Sequence, residues 1–117
     1  MATYLSNLDT WCTFTRKMKN TQTIFVLGDP VSVDSLDVSG HGVTNEMIEM
    51  YNSAALNYFK KSCKEVFVWS SARSLVDKLV LENYEYFMKD ALHMSGSVYK
   101  LQLQLLLNYI LNAVCQR

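Results

Sequence analysis

The chain has 117 residues and two histidines, His41 and His93, so imidazole chemistry has two possible seats. Asp90 stands three residues before His93 on a predicted helix, a spacing that brings the pair to one face and reads as a surface contact. Neither histidine has a second ligand at metal-site spacing. Zinc needs three or four ligands, so no metal site is expected. Ser70 and Ser71 follow a predicted buried strand and open a helix, where α/β proteins place anion-binding amides, and Arg73 stands close enough in sequence to assist a phosphate. No G-x-S-x-G elbow or glycine-rich loop surrounds them, so the ordinary reading of the serines is a helix N-cap. Asp29, in Leu27-Gly28-Asp29-Pro30, sits at a strand exit, a frequent catalytic position but also an ordinary turn composition. Cys63 lies beside Lys60, Lys61 and Lys64, which would lower a thiol pKa; the alternative is an inert structural thiol. Tyr84, beside Glu85 and Tyr86, falls on a predicted core face and reads as packing. No catalytic residue and no cofactor are expected from this inventory.

The elements that would position these residues follow from periodicity. Residues 10–16 (TWCTFTR) and 21–27 (TQTIFVL) are rich in β-branched and aromatic types around a polar turn, which predicts an N-terminal hairpin. A competing helix would place Leu5, Leu8, Trp11 or Cys12 and Thr15 on one face, against the χ1 stiffness of three threonines between residues 10 and 15. Residues 31–38 alternate and then slip by one, as an edge strand with a bulge or an ordered loop would. Thr44 and Glu46 open a helix whose apolar residues, Met47, Ile48, Tyr51, Ala54, Ala55, Tyr58 and Phe59, recur at spacings of three and four, with Lys60 and Lys61 in its last turn. Residues 65–69 (EVFVW) predict a buried central strand. A second helix, capped by Ser70 or Ser71, runs through Leu75, Leu79, Phe87 and Leu92 and stops at Ser95-Gly96.

Residues 97–116 predict a last helix. Lys100, Gln104, Asn108 and Asn112 form its one narrow polar stripe, and apolar residues fill most of the remaining circumference. Such a helix needs cover on several sides. Leu103, Leu107 and Leu111 form a ridge that Tyr99 and Ile110 widen, while Val98, Leu101 and Leu105 lie elsewhere on the circumference. One ridge is expected to pack inward and the other to meet a protein partner in a homodimer or heterodimer.

Charge and cysteine usage bound the partner class. Eleven basic and eleven acidic residues cancel, which disfavours nucleic acid, where phosphate contacts supply most of the affinity. Between residues 29 and 59 the charges are acidic only: Asp29, Asp34, Asp37, Glu46 and Glu49 read as a solvated face or as a surface for a basic partner. The three cysteines, Cys12, Cys63 and Cys115, are odd in number and widely spaced, which suggests neither a disulfide framework nor a zinc ribbon. With no secretory leader pattern, a reducing cytoplasmic or nuclear setting is expected. Polar interruptions of the last helix argue against a membrane span.

The order of T-I-F-V-L-G, K-K-S-C, K-E-V-F-V-W and L-V-L-E-N-Y-E-Y-F-M-K-D, between Trp11 and Asp90, resembles the small proteasome assembly chaperones, chaperone 4 in particular. The resemblance implies a non-enzymatic α/β protein that pairs with a related chaperone and holds proteasome α-subunits, and it transfers no functional residue. The expectation is therefore a small single α/β or α+β domain, with an N-terminal hairpin, a central strand and two C-terminal helices. Its expected role is a non-enzymatic interaction or assembly factor. One alternative is a small enzyme or anion-binding module using Asp29, Ser70, Ser71 and Arg73; another is a viral or membrane-associated accessory protein.

Overall fold

A computed structural model describes residues 1–31, 44–70 and 94–116. Outside those residues lie most of the predicted strand at 31–38, nearly all of the predicted helix after Ser70, and Asp34, Asp37, His41, Ser71, Arg73, Tyr84, Tyr86, Asp90 and His93. The described elements run α1 (Ala2–Arg16), β1 (Ile24–Val26), α2 (Asn45–Ser62), β2 (Phe67–Trp69) and α3 (Gly96–Tyr109), the last continued by a π-helical turn at Ile110–Val114. The mixed α/β class expected from the sequence is the class observed.

The N-terminal hairpin is replaced by α1, the helix that the competing pattern describes. Its inward residues are Leu8, Cys12 and Thr15. The threonines are accommodated by hydrogen bonds back to the helix itself. Thr10 and Thr13 donate to the carbonyls of Ser6 and Asp9 four residues earlier, and buried Thr15 donates to Cys12 O at 2.9 Å. Local strand preference is thereby overridden by burial of the Leu8–Cys12–Thr15 stripe. Asn20, at φ 57°, turns the chain out of α1 in a left-handed conformation that asparagine tolerates better than most residues.

Within 21–27 a strand does form, at Ile24–Val26, but its partner is β2. The two are parallel, with Ile24 opposite Phe67, Phe25 opposite Val68 and Val26 opposite Trp69. Parallel pairing requires a crossover, and α2 supplies it. Thr44 caps α2 by accepting from Met47 N–H at 3.1 Å, with Glu46 in the first turn and Lys60 and Lys61 in the last, as the sequence predicts.

Alternation along the strands sorts the layers. Phe25 and Val68 face α1 and α2, where they pack on a core of Leu8, Cys12, Leu27, Ala55, Phe59, Cys63 and Val66. Phe59 is 1% exposed, and its ring meets Trp11 at 5.7 Å, Phe25 at 4.8 Å and Tyr58 at 5.4 Å between centroids. Phe67 points to the opposite face and meets Tyr109 of α3 edge-on at 6.4 Å. Helices therefore cover both faces of the strand pair.

Gly96 is the first residue of α3, not the helix stop expected from the sequence. Ser95 has the extended conformation of an N-cap residue, and its carbonyl accepts from Tyr99 N–H at 3.1 Å. At the other end the Asn112 side chain donates to Asn108 O at 2.8 Å, competing for a carbonyl of the helical ladder. The widened turn there closes through Cys115 N–H to Ile110 O.

Candidate functional site

Parallel strands place their carboxyl ends side by side, and in open α/β sheets ligands collect there. Here that edge carries Leu27-Gly28-Asp29-Pro30 after β1 and Ser70 after β2, joined by Leu27 N–H donating to Trp69 O at 3.0 Å. Three side-chain amides hold the exit from β1. Asn52 accepts from Gly28 N–H at 2.8 Å and donates to Gly28 O at 3.0 Å. Two turns earlier on α2, Asn45 does the same at Val31, with both bonds at 2.8 Å. From α3, Gln102 Nε2 donates to Asp29 Oδ1 at 2.9 Å, although Gln102 is itself buried.

Sequence reasoning missed all three amides. Asn45 and Asn52 look like ordinary polar positions of an amphipathic helix, because the partners that employ them are backbone groups 14 and 24 residues away. Gln102 left one usable signal: it stands four residues after Val98, on the stripe that α3 buries. A polar residue on a buried stripe needs a partner, and Asp29 supplies it.

The proposed acidic face is divided by this arrangement. Asp29 turns to α3, while Glu46 and Glu49 are exposed on α2. On α3 and its π-helical continuation, Lys100, Gln104, Asn108 and Asn112 are exposed, as the polar stripe predicts. The leucine ridge lies outward too: Tyr99 is 42%, Leu103 55%, Leu107 50% and Leu111 60% exposed. Ile110 instead is half-buried, Val98 is buried, and Leu101 and Leu105 are half-buried. The inward ridge is thus the one through Val98.

Between α1, α2 and β1 lies an open apolar hollow of about 360 Å³, lined by Tyr4, Phe25, Val26, Met47, Ile48 and Tyr51 beside Gly28 and Asn52. The Tyr4 ring stands edge-on to Tyr51 at 4.8 Å, and burial, then Tyr51, raises the Tyr4 pKa.

A second cluster surrounds the end of α2. Cys12 and Cys63 form a disulfide, with Cα atoms 6.4 Å apart and a sequence separation of 51. This corrects the expectation of unpaired thiols. The odd cysteine, Cys115, is free and exposed, and the pairing of the other two depends on α1 being a helix that brings Cys12 to the C-cap of α2. Cys63 is therefore not the activated thiol that its lysine neighbours suggested. A Glu65 oxygen lies with the two sulfurs inside 4.8 Å, a metal-like grouping, yet a disulfide offers no thiolate and Glu65 is paired with Arg16. The Arg16 hydrogen bond is the largest cause that lowers the Glu65 pKa, and the same bond raises that of Arg16. Arg16 also donates to Ser62 O at 2.8 Å, and Tyr58 Oη donates to Asp9 at 2.9 Å.

Among the described residues no helix is long and apolar enough to cross a membrane. No family model and no solved structure matches the chain. Among curated proteins it is similar to the N-acetylneuraminate (7)9-O-acetyltransferase of Danio rerio, 28% identical over 102 residues; that similarity covers 87% of this chain, which spans 12% of the length of that relative.

Proposed function

We propose that the chain is part of an O-acyltransferase and that Asp90 and His93 form its general-base pair. The observation that carries the reading is the extent of the similarity to an enzyme named for O-acetyl transfer to N-acetylneuraminate. Wherever the aligned span begins, 102 of 117 positions take in both Asp90 and His93. Acetyl transfer from a thioester to a hydroxyl needs a base to take the hydroxyl proton while its oxygen attacks the carbonyl carbon. The base then returns that proton to the departing thiolate. A histidine titrates in the right range, and a nearby carboxylate fixes its tautomer. The carboxyl edge of the strand pair, with its clamped exit from β1, is the place where such a fold presents ligands.

The test uses the full-length protein with acetyl-CoA as donor and N-acetylneuraminate as acceptor. His93→Ala is expected to lower transfer by about 100-fold to 10,000-fold, with Asp90→Asn lowering it less. Transfer unchanged in His93→Ala, or absent from the unaltered protein, overturns the reading.

A second reading, a protein-interaction subunit, is favoured by the exposed ridge of Tyr99, Leu103, Leu107 and Leu111. Leu107→Glu would then lower the mass in solution or abolish partner capture while helicity stays constant. An unchanged mass and unchanged capture would remove that support.

A further inference from the structure

The threonine-rich end of α1 favours extended structure by composition, and α1 has no side-chain N-cap and no acidic residue in its first turn. Its helical state therefore depends on what it packs against. That contact is centred on Cys12, which is fully buried and bonded to Cys63 at the C-cap of α2, equally buried. Around the bond the polar ties, Arg16 to Glu65 and to Ser62 O and Tyr58 to Asp9, lie at solvent-exposed positions and stabilise weakly.

We propose that the Cys12–Cys63 disulfide is an oxidation-dependent latch that seats α1 on α2, so that this face of the sheet closes only in an oxidising environment. Two thiols and one oxidised glutathione give the protein disulfide and two reduced glutathiones; the two thiol protons pass to the glutathione thiols. The reverse exchange, driven by a dithiol reductant, releases α1. Because both sulfurs are inaccessible in the folded state, reduction must wait for local opening of α1, which makes the closed latch slow to undo. The compartment implied is oxidising, contrary to the setting expected from cysteine spacing alone.

The experiment is native mass spectrometry and amide hydrogen exchange on the full chain carrying Cys115→Ser, purified without reductant, before and after dithiothreitol. The oxidised protein is expected at two mass units below the reduced one, with no bound zinc and neither thiol alkylated by iodoacetamide. After reduction, α1 amides should exchange up to about a thousandfold faster, the equivalent of removing a crosslink over a long loop, while α2 and the β1–β2 ladder stay protected. Cys12→Ala with Cys63→Ala should show the fast pattern without reductant. Free, alkylatable thiols in the oxidised preparation, stoichiometric zinc on the cysteines, or α1 exchange indifferent to reduction would each overturn the latch. If the reduced protein loses protection everywhere at once, the bond staples the whole fold and the latch is likewise overturned.

Discussion

The two faces of the strand pair are covered by different means. On one, α1 and α2 close over Phe25 and Val68 with a cluster of aromatic rings and a covalent bond. On the other, α3 meets the sheet through the Phe67–Tyr109 edge contact and reaches its border through the Gln102–Asp29 hydrogen bond. The first face buries an aromatic cluster, although Phe14 of α1 and Met47, Met50 and Leu56 of α2 remain exposed. The second leaves Leu103, Leu107 and Leu111 facing outward, so apolar content in a helix does not by itself locate the core.

The sharpest way to break this contrast is to truncate one large side chain on each face. Phe59→Ala should cost about 3 to 5 kcal/mol in urea unfolding, because it empties the centre of the aromatic cluster. Leu107→Ala should fall within about 0.5 kcal/mol of the unaltered protein, since its side chain already meets solvent. Equal losses would mean that the two faces are packed alike.

Gln102→Ala tests the polar tie of the second face. It should cost about 1 to 3 kcal/mol, and the loss should shrink when Asp29→Asn is already present, as a double-mutant cycle would show. Thr44→Ala removes the α2 cap and should cost about 1 kcal/mol without altering either face, which calibrates what a local defect does.

The smallest effect belongs to pH. Glu65 ionises more readily in the folded protein than in the unfolded chain because of Arg16, so its contribution is fully present above the ordinary glutamate pKa and is lost as pH falls through the lower folded value. Thermal melts of Glu65→Gln and the unaltered protein should therefore differ slightly at neutral pH and converge below about pH 4. The pair is half-exposed, so solvent screening keeps the difference small. A difference that grows on acidification would refute the assignment.

How far these features were legible depended on the range of the interaction behind each. The α2 helix was readable because its cap, dipole charges and apolar spacing are all local, and β2 because four consecutive apolar residues leave little choice. The helix α1 was not, since its threonines and aromatics point locally to a strand, and burial against α2 decides the matter. The Cys12–Cys63 pairing depended on that same assignment: in a hairpin reading nothing carries Cys12 to the end of α2. Of the candidate site, Asp29 was named from its strand exit, but the amides that hold its segment became visible only with the chain folded.

Asn45 and Asn52 have one further consequence, for how freely the exit from β1 can change. Each reads only main-chain groups, a donor and an acceptor at Val31 and at Gly28. At Gly28 and Val31 the route is thus specified through the main chain, while Asp29 between them is held through its side chain by Gln102. Only proline, lacking the amide hydrogen, would forfeit half of either clamp. The arrangement acts as a frame with one replaceable position: a side chain added at exposed Gly28 would meet only ordinary contacts, whereas Pro30 and Val31 are buried and Asp29 is tied to Gln102.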